Sequence, residues 1–110
     1  MTNNKSSEFD SKQQDLAEFA KILSHPARIA IIQLLAKKHE IKTGDISEFL
    51  PLSRTTVSQH LKELRNAGII SGTIDGLKVH YCLNMEKLVL MKNCFNNMFD
   101  SSISDFMCKC

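Results

Sequence analysis

At Gly68 the hydrophobic period of this chain changes from that of a helix to that of a strand. Upstream, in SRTTVSQHLKELRNAG (residues 53–68), Val57, Leu61 and Leu64 recur at helical spacing and predict one buried stripe. Ser53 is placed to cap that helix, because its hydroxyl can accept from an otherwise free backbone N–H of the first turn. Gly68 stands where helices commonly end in a left-handed residue. Downstream, Ile70, Gly72 and Ile74 alternate with Ser71, Thr73 and Asp75, and then Leu77, Val79 and Tyr81 alternate with Lys78 and His80. Asp75-Gly76 between the two alternating runs predicts a hairpin, since such a turn requires positive φ. A one-sided helix followed at once by a two-stranded hairpin leaves few arrangements open.

The flanking segments narrow them further. Leu16, Phe19, Ala20 and Leu23 follow the spacing of an amphipathic helix. Ser24-His25-Pro26 interrupts it, and proline suits the first turn of the next helix, where its missing N–H would be unpaired anyway. That helix, ARIAIIQLLAKK, is apolar nearly all round at Ala27, Ile29, Ala30, Ile31, Ile32, Leu34 and Leu35, and is expected at the centre of the core. Thr43 and Gly44 open a short third helix holding Ile46, Phe49 and Leu50, and Pro51 closes it. A short helix, a tight turn and a polar-faced helix make a helix-turn-helix. After the hairpin, Asn84 can cap a last helix whose Leu88, Met91, Phe95 and Met98 fall on one stripe, with Phe99 beside it. That stripe either packs across a dimer or folds back on the chain's own core. The fold expected is mostly α (α+β): a winged helix-turn-helix of about five helices with one two-stranded β-hairpin wing. Its expected bounds are residues 11–106, between a disordered tail over 1–10 and a cysteine-containing tail over 107–110.

The free face of the helix after Ser53 carries Arg54, Thr55, Ser58, Gln59 and Lys62. All can hydrogen-bond a phosphate or a base edge and none is acidic, as a helix lying in a DNA major groove requires. Charge distribution points the same way. Residues 1–52 carry seven Lys/Arg and seven Asp/Glu, and residues 82–110 carry three of each. The formal excess of +2 therefore lies within residues 53–81, as Arg54, Lys62, Arg65 and Lys78 against Glu63 and Asp75. Phosphate contacts supply much of the affinity in nucleic-acid binding, so a local basic patch suits that role.

Size and composition exclude other classes. At 110 residues the chain is one domain, and it buries only about two-thirds of its unfolded surface, so oligomerisation would help it. No apolar run approaches the ~18 residues of a membrane span. The start, MTNNKSSEFDSKQQ, lacks the apolar core of a signal peptide, which predicts a cytoplasmic protein with reduced cysteines. No Gly-rich phosphate loop, nucleophile–base pair or metal-hydrolase motif is present, so an enzyme is not expected. A winged helix used for protein docking is the competing class, and retention of the polar, cationic face argues for DNA instead.

Over residues 16–84 the chain resembles the ArsR/SmtB family of winged-helix repressors. The carriers are LSHPARIAIIQLL, TTVSQHLKELRNAGII and the wing GTIDGLKVHYCLN. The resemblance implies a homodimer that sits on a palindromic operator in double-stranded DNA and blocks transcription until an inducer binds. The family's DNA-facing positions fall on Arg54, Thr55, Ser58 and Gln59, and its basic wing position falls near Lys78. Gln59 could pair with adenine, and Arg54 with guanine or phosphate. His60, beside Leu61, reads as a satisfied, partly buried histidine. His25 and His80 have no partner at ligand spacing and read the same way.

Many members bind metal at a Glu-Leu-Cys-Val-Cys-Asp-Leu pattern opening the third helix. Here the stretch is Glu40-Ile41-Lys42-Thr43-Gly44-Asp45-Ile46, with both cysteines replaced, by Lys42 and Gly44. Others use Asp and His between the last helices, and from Asn84 onward this chain has no His. The thiols left are Cys94, Cys108 and Cys110, with Cys82 in the wing. Thiolates suit a thiophilic ion such as trivalent arsenic, antimony or zinc. In an unbroken helix Cys94 and Cys108 would lie about 21 Å apart, so one ion could join them only across subunits or if the helix breaks, as at Asp100-Ser101-Ser102. A thiol-based ion site, a redox or other ligand switch, and thiols that sense nothing all fit the residues.

Overall fold

The computed structural model describes residues 8–39 and 41–109. The order is α1 (Ser11–Ile22), α2 (Pro26–Lys38), β1 (Ile41–Lys42), α3 (Thr43–Phe49), α4 (Arg54–Asn66), β2 (Ile70–Asp75), β3 (Lys78–Leu83) and α5 (Met85–Lys109). Five helices and the hairpin stand as the sequence predicts. Residues 1–7 lie outside the described residues. Asp10, expected in the tail, is instead the N-cap of α1: its carboxylate accepts from the Gln13 N–H at 2.8 Å, while the Gln13 side chain accepts from the Asp10 N–H at 3.2 Å. This reciprocal pair satisfies two of the four donors that a helix start leaves free.

The sheet departs from the expected two strands. β1 pairs antiparallel with β3, Ile41 opposite Tyr81 and Lys42 opposite His80, giving the order β1-β3-β2. Two residues are too short for alternation to show, so β1 leaves no periodic signal. Its effect is to cover the β3 edge and to bury Ile41 against the core. The hairpin loop is Gly76-Leu77, one residue later than Asp75-Gly76, because Asp75 still pairs with Lys78. Gly76 has φ +64 and takes the positive-φ position of the turn.

The core draws on every element: Phe19, Ile31, Leu35, Ile41, Ile46, Val57, Leu61, Leu64, Ile69, Ile70, Tyr81 and Met91 are buried. α2 does not sit at its centre. Ile31 and Leu35 are buried, but Ile29 is 43% exposed, because α4 and β3 cover α2 on one side and a chain this short cannot surround a helix. Phe49 of α3 is likewise half exposed, with the Lys38 ammonium 5.0 Å from its ring centre.

α5 is one unbroken helix of 25 residues, about 37 Å long. The break at Asp100-Ser101-Ser102 is absent, and the expected tail at 107–110 is helical through Lys109, with Cys110 outside the described residues. Apolar residues at Ile103, Phe106 and Met107 flank those serines and let helical periodicity run through them. Met91 is buried, and Leu88, Cys94 and Phe95 pack against the core, with the Phe95 ring 6.5 Å from that of Phe19 on α1. The first half of α5 therefore folds back on its own chain. The second half reaches beyond it, which explains a radius of gyration of 17.0 Å where a compact domain of this length would have about 13 Å.

Candidate nucleic-acid interface

α4 is built to be placed accurately. Ser53 caps it, its hydroxyl accepting from the Thr56 N–H at 3.2 Å and donating to Thr56 Oγ1 at 3.0 Å. Its far end closes with the Ile69 N–H on the Leu64 carbonyl at 3.0 Å and the Gly68 N–H on the Arg65 carbonyl at 2.9 Å. This is the two-bond Schellman closure, and the left-handed residue it demands is Gly68, φ +79. Leu64 and Ile69, both fully buried, supply the apolar contact that accompanies the motif. Before α4, the Leu52 N–H reaches the Leu50 carbonyl at 2.8 Å around Pro51, so α3 and α4 are joined by a tight corner.

With Val57, Leu61 and Leu64 buried, helix geometry turns Thr55, Gln59 and Lys62 directly outward. Arg54 and Ser58 lie on the flank of the same exposed face, and all five side chains are exposed. Among the described residues none of these five, nor Lys78, has its side chain committed to a hydrogen bond or ion pair. Exposed donors at helical spacing, held on a capped and core-anchored helix, are what base-edge reading needs.

The fold brings together two residues 24 positions apart in sequence. Arg54 at the start of α4 and Lys78 at the start of β3 line one cleft of 410 Å³, together with Lys42, Gly44, Asp45, Leu77 and Val79. Three cations face one carboxylate there, which suits a polyanion. Sequence reasoning missed Lys42, which it weighed only as a lost metal position. The pairing of β1 with β3 carries Lys42 to the wing. It also missed the wing tip, where Leu77 is 106% and Ile74 78% exposed.

His60 is half-buried and satisfied, as expected: its Nδ1 accepts from Arg28 Nε at 3.1 Å. Burial, then the charges of Arg28 and His25, hold its pKa below the ordinary 6.5. His25 does have a neighbour, its ring centre 5.5 Å from that of His60. His80 lies 3.6 Å from the Asp75 carboxylate in the wing.

Among the described residues, Cys82, Cys94 and Cys108 do not converge within one chain. Cys94 lines a 280 Å³ groove between α1 and α5 with Leu16 and Met98. Cys108 is exposed, one unbroken helical run of about 21 Å further on. Cys82 sits in β3 with its sulfur 3.3 Å from Ser71 Oγ. Among the described residues no group of three or more His, Cys, Asp or Glu side chains is placed to hold a metal ion. No single helix among them is long and apolar enough to cross a membrane.

Comparison with known proteins agrees with this geometry. The family described as "Bacterial regulatory protein, arsR family" matches residues 25–71. Transcriptional repressor PagR of Bacillus anthracis is 33% identical over 75 residues, covering 68% of this chain and 75% of PagR. Transcriptional repressor SdpR of Bacillus subtilis is 33% identical over 85 residues, covering 77% of this chain and 93% of SdpR. The HTH-type transcriptional regulator Rv0081 of Mycobacterium tuberculosis is 37% identical over 67 residues, 61% of this chain and 59% of that protein. The crystal structure of Rv0081 superposes with a TM-score of 0.66 at 27% identity, covering 90% of this chain and 99% of the other.

Proposed function

The chain belongs to the arsR family of bacterial regulatory proteins, and from that premise we propose that it is a homodimeric repressor that reads a palindromic operator with α4 and grips the flanking phosphates with the wing. It is a DNA-binding transcriptional regulator with a winged helix-turn-helix fold. The observation that carries the finer reading is the shared cleft of Arg54 and Lys78, beside the uncommitted polar face of α4. In this reading Thr55, Ser58 and Gln59 reach base edges, with Gln59 suited to adenine. Arg54, Lys62 and Lys78 hold phosphates or, for Arg54, a guanine edge.

Support for a dimer comes from α5. Val89, Leu90, Met98, Phe99, Ile103 and Phe106 are exposed on a helix that outruns its own core. Of these, Phe99, Ile103 and Phe106 share one side of the helix, and exposed apolar surface of this kind marks an interface. A second copy, related by a two-fold axis, covers it and sets two α4 helices about 34 Å apart for successive major grooves. An inducer that shifts α5 misplaces both readers together.

Salt-dependent binding of the dimer to a palindrome from its own promoter tests the proposal. Affinity indifferent to salt would favour protein docking instead. For the inducer, the unbroken α5 requires any ion held by Cys94 and Cys108 to bridge two subunits. Titrating the reduced protein and its operator with trivalent arsenic and with zinc tests this. If Cys94→Ser and a truncation before Cys108 release DNA as the wild type does, these thiols are not the sensor.

A further inference from the structure

The Arg28 guanidinium ties three helices at one point. Its Nε donates to His60 Nδ1 of α4 at 3.1 Å, and its Nη1 donates to the Ile22 carbonyl at the end of α1 at 3.3 Å. Arg28 itself stands in the first turn of α2. The His25 ring, at the N-cap of α2, lies 5.5 Å from the His60 ring. One side chain therefore connects the helix that packs on α5 with the helix that carries the proposed DNA-reading face.

Val57, Leu61 and Leu64 fasten one face of α4 to the core, and the Arg28 hydrogen bond adds a directional restraint at the helix flank. Side chains reach about 5–6 Å from a helix axis, so a turn of ~10° moves Gln59 or Thr55 by about 1 Å. That is enough to spoil a bidentate base contact. A hydrogen bond is directional, and the one at His60 lies on the flank of α4, where it opposes such a turn.

We propose that the Arg28–His60 hydrogen bond is a latch that holds α4 at its reading angle, and that it closes only while His60 is neutral. Arg28 and His60 are thus positioning residues. This rests on the reading of α4 as the DNA-contacting helix. Arginine has no acceptor and stays charged, so Nδ1 must offer a lone pair. Protonation replaces that lone pair with an N–H and sets a second cation against the guanidinium. The charged groups acting on His60 are Arg28 and His25, both at the start of α2, while α3 and β2, also packed on α4, add none. Burial, then Arg28 and His25, hold the pKa of His60 below the ordinary histidine value, and Glu63, exposed one turn further along, is the carboxylate beside it on α4.

The latch makes a prediction opposite in sign to simple electrostatics. Adding protons to a DNA-binding protein normally raises its affinity. Opening the latch lowers it, by about 13-fold per protomer if the lower net worth of a hydrogen bond from a charged donor is lost, or roughly 160-fold for a dimer. The experiment compares wild type, His60→Gln and Arg28→Lys on one operator duplex at fixed salt between pH 7.5 and 5.5. Glutamine can accept through Oε1 and does not titrate in this range. Lysine keeps the charge but lacks the planar fork that reaches two acceptors. Wild-type affinity is expected to fall with acidification. His60→Gln is expected to keep near-wild-type affinity at pH 7.5 and lose the acid-side fall. Arg28→Lys is expected to bind weakly at pH 7.5 and show no further fall. Circular dichroism at both pH values confirms that each variant is folded, and NMR of the His60 ring in the wild type gives a second readout: DNA should lower its pKa further. A pH profile in His60→Gln equal to wild type, or a His60 pKa that DNA leaves unchanged, overturns the latch alone. Absence of salt-dependent binding at pH 7.5 overturns the function of α4 as well.

Discussion

Removing the Lys78 charge should change not only how tightly this protein holds DNA but how steeply salt loosens it. Arg54, Lys62 and Lys78 are exposed, and no described side chain neutralises them. A dimer with all three on phosphates makes six contacts, which implies a slope of log affinity against log salt of about −5.4. Raising salt from 50 to 200 mM should then weaken binding by about 2 × 10³-fold. Lys78→Ala deletes one contact per protomer, so the slope should flatten to about −3.6, and the same salt step should weaken binding only ~150-fold. At 0.1 M salt the variant should bind about 60-fold more weakly, if counterion release is the whole effect. Lys78 begins β3 with its side chain in solvent, so the fold should not suffer. Fluorescence anisotropy of a labelled operator across a salt series measures both quantities. A variant that binds more weakly with an unchanged slope would refute the placement of Lys78 on phosphate. An unchanged affinity and slope would remove the wing from the interface.

Three further outcomes concern the scaffold. Leu64 is fully buried on the inner face of α4, so Leu64→Ala should lower unfolding free energy by about 2–5 kcal/mol, read as a lower denaturant midpoint at matched protein concentration. Gly68→Ala meets no clash, since the nearest atom to the added carbon is Lys87 Cε at 4.0 Å, but φ +79 should cost about 1–2 kcal/mol in the same assay. His39 closes α2 at φ 65, ψ −50, a strained region for a side-chain-bearing residue, so His39→Gly should stabilise the fold by about 1 kcal/mol and raise its melting temperature.

The helices and the hairpin were legible because each repeats a period several times over. α4 shows three buried residues at helical spacing between a serine cap and a left-handed glycine, so local chemistry and core packing demand the same element. Elements that depend on a distant partner were not legible. β1 is two residues long and exists because β3 offers an edge. α2 reads as apolar all round, yet only one side meets α4 and β3. The serines at 101 and 102 read as a break, yet the helix runs through them, because exposed serine costs a helix little while Phe99, Ile103 and Phe106 keep its period.

The proposed site divides the same way. Its polar face on α4 follows from one stretch of sequence, since helical geometry decides which side chains share a side. The cleft joining Lys42, Arg54 and Lys78 and the Arg28 bridge from Ile22 of α1 to His60 of α4 join residues up to 36 and 38 positions apart. No period connects such residues. The sequence alone settles that this chain makes a polar-faced helix beside a wing. Tertiary packing alone decides which cations stand together and what holds the helix at its angle, because those depend on where separate elements meet in space.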